Sequence, residues 1–325
     1  MGGVAERFIR VLVVAGGTFA ASLTPAAAQN ADRNWEYCIN YKGAYSYDLA
    51  IGGCTALIQS GQQTTEDLAT AFYNRGSAYQ SGPQHDYARA IADYTQTIAL
   101  DPQYADAFYN RGIAYQYGPQ PDYASAIADL TQAIALDPQN VDAFYNRGNA
   151  YQYGPQPDYA SAIADYTKAI ALDPQDAAAF YNRGDAYQDG PQPDYARAIA
   201  DYTQAIVLNP QNASLLNSRC WARAVWGQEL DQALADCNAS LRIANSPDTL
   251  DSRGFVHLRR GEFQAAFADY DAAVHGDDGL IDSLYGRGIA RLRLGQTNAG
   301  KADIAAATAR DANIAVQFTG YGVTP

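Results

Sequence analysis

The chain has 325 residues, with 35 acidic against 22 basic side chains and a formal net charge of −13. Such an acid excess disfavours nucleic acid and anionic membrane surfaces as partners, because both repel it. The three histidines and four cysteines stand in no metal-ligand spacing, so no metal site is expected.

Residues 1–28 have the layout of a secretory leader. Arg7 and Arg10 precede an apolar stretch over 11–23, and Ala26-Ala27-Ala28 offers a cleavage site. The stretch is interrupted by Gly16, Gly17 and Thr18 and falls short of the ~20 residues of a membrane span. No cysteine stands at the cleavage point for a lipid anchor. The layout predicts a bacterial Sec-type signal peptide, a periplasmic or secreted protein, and no membrane insertion after cleavage.

A degenerate helical pair at residues 34–41 and 48–60 reads as an N-terminal cap spanning 29–65. Regular units follow over 66–212. Phe-Tyr-Asn-Arg-Gly begins at Phe72, Phe108, Phe144 and Phe180, with Tyr79, Tyr115, Tyr151 and Tyr187 three residues after each Gly. Phe, Gly and Tyr at spacings of four and three share one helix face. The recurring Gly weakens the helix, so it marks a place where a second backbone comes close. A Gly-Pro-Gln-Pro-Asp turn follows at Gly118, Gly154 and Gly190, with Gly-Pro-Gln-His-Asp at Gly82. Its Asp (Asp86, Asp122, Asp158 or Asp194) is placed to cap a second helix. That helix buries Ala126, Leu130 and Ala133 in the second unit, and Asp-Pro (Asn209-Pro210 in the last) ends it.

Three divergent units over 213–308 stay in phase, turning at Gly227, Gly261 and Gly295, and residues 309–325 form a C-terminal tail. Across the array an Arg-Gly step recurs at Arg75, Arg111, Arg147, Arg183, Arg219 (before Cys220), Arg253 and Arg287, at 36-residue and then 34-residue intervals. Such a period means stacked supersecondary units that act through the surface they present.

Phe108, Gly112, Tyr115, Ala126, Leu130 and Pro138 stand in an order that resembles the tetratricopeptide repeat. There are two departures: the proline-containing turn lengthens four units to 36 residues, and Arg replaces the usual Leu before the Gly. The resemblance implies an all-α, right-handed superhelical solenoid of about eight antiparallel helix-turn-helix hairpins, with first helices lining the concave side. It further implies a non-enzymatic scaffold without cofactors, binding an extended peptide or partner protein in that groove.

On this reading the groove is lined by Tyr73, Asn74, Tyr109, Asn110, Tyr145, Asn146, Tyr181 and Asn182. They lie about 100° and 200° around the helix from each core Phe. An Asn amide donates and accepts at once, which suits a peptide group, and Tyr adds rigid apolar area with a hydroxyl. Bonding between neighbouring helices is an equal use for the Asn. The ladder ends at Ser218, Ser252 and Gly286. Chaperone-binding members carry Lys and Arg where this chain has Gln80, Gln116, Gln152 and Gln188, which argues against a chaperone-tail receptor. The alternative class is a carbohydrate- or polysaccharide-binding envelope scaffold, drawing on the 25 tyrosines, including Tyr117 and Tyr153.

The cysteines form two candidate disulfides, Cys38–Cys54 and Cys220–Cys237. In each, the first Cys replaces the thin Gly of a first helix and the second replaces the large core residue of a second helix. Free buried thiols are the other reading, and export favours the disulfides. Each recurring Arg has an Asp on the second helix (Asp93, Asp129, Asp165, Asp201, Asp236, Asp269, Asp303), which suggests a structural ladder, formed within hairpins or between them. Arg259 and Arg293, one period apart, form either an anion-binding end of the groove or a solvated face. His85, His257 and His275 read as structural, and no phosphate loop or Gly-x-Ser-x-Gly elbow is present, so no catalysis is expected.

Overall fold

A computed structural model describes residues 25–40 and 43–325. The expected leader lies outside these residues apart from 25–28, which begin the first helix. All regular structure among the described residues is helical, and no described helix is long and apolar enough to cross a membrane.

The chain divides after Asp101 into two compact units. The first holds two hairpins, α1 (Pro25–Ile39) with α2 (Tyr47–Ser60), and α3 (Thr65–Ser81) with α4 (Tyr87–Leu100). The second holds six more. They are α5 (Ala105–Tyr117) with α6 (Tyr123–Leu136), α7 (Val141–Tyr153) with α8 (Tyr159–Leu172), and α9 (Ala177–Asp189) with α10 (Tyr195–Leu208). The divergent pairs are α11 (Ala213–Trp226) with α12 (Leu230–Ile243), α13 (Pro247–Arg259) with α14 (Phe263–Gly276), and α15 (Ile281–Arg293) with α16 (Thr297–Arg310). A short α17 (Ile314–Gly320) follows.

Local signals act where the sequence puts them. Asp122, Asp158 and Asp194 accept hydrogen bonds from the backbone N–H groups of Ser125, Ser161 and Arg197, capping α6, α8 and α10. The two unit lengths correspond to two turns. Gly118, Gly154 and Gly190 leave the helix in extended backbone before a proline. Gly227, Gly261 and Gly295 instead turn at φ of +75°, +75° and +79°, a left-handed conformation that favours glycine and saves two residues.

Inside each hairpin the two helices meet at one contact. A Cβ on Gly148 would lie 2.7 Å from the Tyr166 ring, and one on Gly112 would lie 3.0 Å from Leu130. The glycine is there because the facing side chain lies flat on its Cα. In two hairpins the contact is covalent. Cys38–Cys54 and Cys220–Cys237 are disulfides with Cα–Cα distances of 4.6 and 5.5 Å. Two cysteine side chains occupy the space otherwise taken by one large residue over a bare backbone.

The Arg–Asp ladder forms within hairpins. In α7/α8 the Nε and Nη2 of Arg147 both donate to Asp165, each at 2.8 Å. The same fork joins Arg75 to Asp93, Arg183 to Asp201 and Arg253 to Asp269. The remaining Nη1 reaches back one hairpin, from Arg147 to Thr131 and from Arg183 to Thr167, both at 3.0 Å. One guanidinium thus fastens a hairpin and sets its register on its neighbour, while the Phe three residues earlier packs against its face. The aspartates are buried, so loss of either partner strands a charge.

Within the second unit the first helices touch one another, α5 with α7, α7 with α9, α11 with α13 and α13 with α15. No pair of second helices packs comparably among the described residues. The first helices therefore make the inner, concave wall of this unit.

Candidate functional site

The wall starts with the Tyr-Asn series. Asn146 Nδ2 donates to the Tyr109 hydroxyl at 3.3 Å, and Asn182 Nδ2 donates to the Tyr145 hydroxyl at 3.0 Å. Each bond joins the Tyr of one hairpin to the Asn of the next. Asn182 also donates to Asn149 Oδ1 at 2.8 Å and is 8% exposed, so its amide hydrogens are directed into the stack. Burial pushes the Tyr109 and Tyr181 hydroxyls up to about 12 and raises Tyr145 as well, so all three stay protonated at neutral pH. In the first unit Asn74 lines a pocket of about 310 Å³ with Tyr45 and Tyr47. Tyr73, two residues before Arg75, and Asn110, one residue before Arg111, are both half-buried.

More exposed aromatics stand about two helical turns further on. Tyr117 and Tyr153, at the C-terminal ends of α5 and α7, are 51% and 52% exposed. Next along the wall stand Asp185 and Asp189 of α9. Burial lifts Asp185 to about 6, opposed by hydrogen bonds from Tyr202 and Tyr181, and burial raises Asp189 too. The wall thus combines aromatic rings with carboxylates.

The Gln positions have a structural task. Gln80 Oε1 accepts from the Tyr94 hydroxyl at 2.9 Å, and Gln152 Oε1 accepts from Tyr166 at 2.9 Å. Where Leu130 replaces the tyrosine, Gln116 Oε1 is buried without a partner.

The divergent hairpins differ. Arg223 and Arg291, on α11 and α15, join the ladder carboxylates of Asp236 and Asp303. Arg260 pairs with Asp231 and Glu262. Arg259 Nη1 donates to the main-chain carbonyl of Tyr321, and Arg293 Nη2 donates to that of Thr324 at 3.1 Å. The expected anion-binding pair thus holds the tail. Beside it a pocket of about 560 Å³ is lined by Asn217, Trp221, Asp248, Asp251, Asp282 and Tyr321, a site the sequence did not announce. Burial lifts Asp251 there to about 7, while the Ser283 hydroxyl donates to it at 2.5 Å. The three histidines make local contacts, His85 to the Gln80 carbonyl, His257 to Glu262 and His275 to the Asp271 carbonyl.

The family model described as TPR repeat matches residues 84–117, 120–153 and 156–190. The chain carries tetratricopeptide repeats over these residues. Solved tetratricopeptide-repeat structures agree with its fold. The C-terminal part of a repeat-containing protein from Cytophaga hutchinsonii aligns with TM-score 0.59 at 17% identity, covering 79% of this chain and 98% of that one. A tetratricopeptide repeat protein from Parabacteroides merdae gives 0.55 at 16% identity, covering 81% and 99%. YrrB, described as a TPR protein with an unusual peptide-binding site, gives 0.51 at 20% identity, covering 60% and 97%. Identities this low establish the fold of the repeat array alone. No curated protein sequence matches the chain.

Proposed function

We propose that this tetratricopeptide-repeat protein is a non-enzymatic scaffold whose first-helix wall binds an extended peptide or a partner-protein segment. The observation that carries the reading is the pairing of a stiffened inner wall with presented aromatics. Tyr109–Asn146 and Tyr145–Asn182 lock consecutive hairpins, while Tyr117 and Tyr153 stand exposed at equivalent positions beside them. Equal rings one repeat apart suit a ligand that is itself extended and repetitive in contact. Asp185 and Asp189 favour a neutral or basic segment over an acidic one. Tyr109, Asn110, Tyr145, Asn146, Tyr181 and Asn182 are the framework of that surface in the second unit, and Tyr73 and Asn74 hold the matching positions of the first unit. Two disulfides fit an oxidising compartment and support export to the periplasm or medium.

A peptide array beside a glycan array tests the reading. Peptide binding that falls about tenfold or more in Tyr117→Ala/Tyr153→Ala supports it. Binding confined to glycans, untouched by Asn110→Ala, would replace it with a carbohydrate-binding scaffold.

A further inference from the structure

Past α16 the chain does not leave the array. It turns back onto the inner wall of the last three hairpins. Ile314 and Phe318 of α17 are 0% and 2% exposed, and Tyr321 and Val323 pack against the same core. The Phe318 ring centroid lies 4.8 Å from Tyr285 and 5.9 Å from Phe255. Tyr321 meets Trp221 edge-on at 5.6 Å and Phe255 at 5.8 Å. Trp221, Phe255 and Tyr285 come from three successive first helices, α11, α13 and α15.

Their register is informative. Tyr285 stands two residues before its ladder Arg, the position of Tyr73, Tyr109, Tyr145 and Tyr181 in earlier units. Asn217 and Asp251 hold the same position in the two hairpins between, and both line the pocket that Tyr321 helps to close. Trp221 and Phe255 stand two residues after the Arg, where α9 has Asp185. Two residues after the Arg the wall therefore changes from Asp185 to the rings of Trp221 and Phe255, and the chain's own tail covers those rings.

The tail is held as a ligand is held. Two aromatic anchors three residues apart fill the apolar seat, and two arginines, Arg259 and Arg293, donate to main-chain carbonyls rather than to side chains. Gly322, at φ +76°, lets the Val323 N–H reach the Phe318 carbonyl at 2.9 Å and turns the chain past the anchors. A helix of 7 residues has little stability of its own, so the seat and not the helix keeps this segment ordered.

We propose that the inner wall of α11, α13 and α15 is a second peptide site, filled in cis by residues 314–325 and open to a partner segment bearing Phe-x-x-Tyr when the tail lifts. The site lies apart from the Tyr117/Tyr153 surface, so either can fail with the other intact. A tethered segment competes at an effective concentration of about millimolar. The cis tail therefore sets a threshold that an incoming partner must exceed.

The test uses the full chain and a labelled synthetic peptide of residues 312–325, read by fluorescence anisotropy. The full-length variant Phe318→Ser/Tyr321→Ser should bind the peptide about tenfold or more tightly than the wild-type chain. Adding Trp221→Ala should abolish that gain, and a peptide with both aromatics changed to Ser should bind neither. A variant that keeps its helical content and binds no peptide overturns the proposal. Should the variant lose its fold, hydrogen exchange on the wild-type chain decides. Excess peptide must then release the protected amides of Gly322 and Val323, and unchanged protection overturns the proposal. Tail-dependent dimers in gel filtration would also overturn it, by showing the tail seated on a second copy.

Discussion

Cys220 and Cys237 stand at the contact that Gly184 and Tyr202 make one hairpin earlier, joining α11 to α12 as the glycine and the ring join α9 to α10. The same exchange at Cys38 and Cys54 shows that the contact, rather than either chemistry, is what each hairpin requires. A bare Cα under a large side chain gives close packing. Two short side chains joined by sulfur hold the same two positions together, with Cα atoms 4.6 and 5.5 Å apart, and also restrict the unfolded chain.

The exchange predicts a rescue. Cys220→Ala/Cys237→Ala should cost about 3 kcal/mol, through the lost cross-link and an underfilled contact. Cys220→Gly/Cys237→Tyr, which copies the neighbouring hairpin, should recover much of it and make stability indifferent to reductant. Chemical denaturation with and without dithiothreitol checks both. Equal losses in the two variants would mean that the sites are not equivalent.

Leu130 is the odd residue in the series Tyr94, Tyr166, Tyr202, and it leaves Gln116 Oε1 buried and unpaired. Leu130→Tyr should supply the missing hydroxyl, as Tyr166 does for Gln152, and raise stability by about 1 kcal/mol. Gln116→Leu should achieve a similar gain by removing the unpaired group. A fall in the thermal midpoint in both would show that this hairpin packs differently from its sisters.

The ladder arginine carries three hydrogen bonds in a fixed fork, so Arg147→Lys should behave nearly as badly as Arg147→Ala. Each should cost about 3–5 kcal/mol by stranding buried Asp165. Asp165→Ala added to Arg147→Ala should restore part of the loss, measured as a coupling energy in a double-mutant cycle. Strict additivity would show that the two residues act independently.

Asp251 and Asp185 are lifted by burial to about 7 and about 6, whereas in an unfolded chain a carboxyl titrates near 4. A raised carboxyl binds its proton more tightly in the folded state. Its contribution to stability is therefore present below about pH 4 and is lost as pH rises through 6 to 7. Melting temperature should fall between pH 5 and pH 8. Asp251→Asn, which keeps an acceptor for Ser283, should flatten the fall and add about 1–2 kcal/mol at pH 8. A variant that tracks the wild-type curve would rule out this cause.

The architecture was legible because its signals are periodic. Phe72, Gly76 and Asp86 recur at fixed offsets, and a repeated offset can only mean a repeated contact. The double substitution at the cysteines could be read for the same reason. What period could not supply was direction. The pairing of Arg147 with Asp165 was suggested by the two residue types recurring together in every regular unit. The reach of the same guanidinium to Thr131 was not, because a threonine on an exposed helix face carries no mark of its partner. Arg259 and Arg293 were legible as a pair in phase, but their bonds go to carbonyls of Tyr321 and Thr324, and main-chain groups leave no trace in a sequence. The tail was likewise unreadable. Phe318 and Tyr321 look like any two aromatics until a wall with Trp221, Phe255 and Tyr285 is set against them.

The central claim is that ligands meet the first-helix wall. Site-specific photo-cross-linking from Tyr153 on α7, with Lys168 on the outward α8 as control, tests it most directly. Adducts with peptide or protein partners should form at 153 and be absent at 168. Adducts at 168 alone, or equal capture at both positions, would contradict a ligand seat on the inner wall.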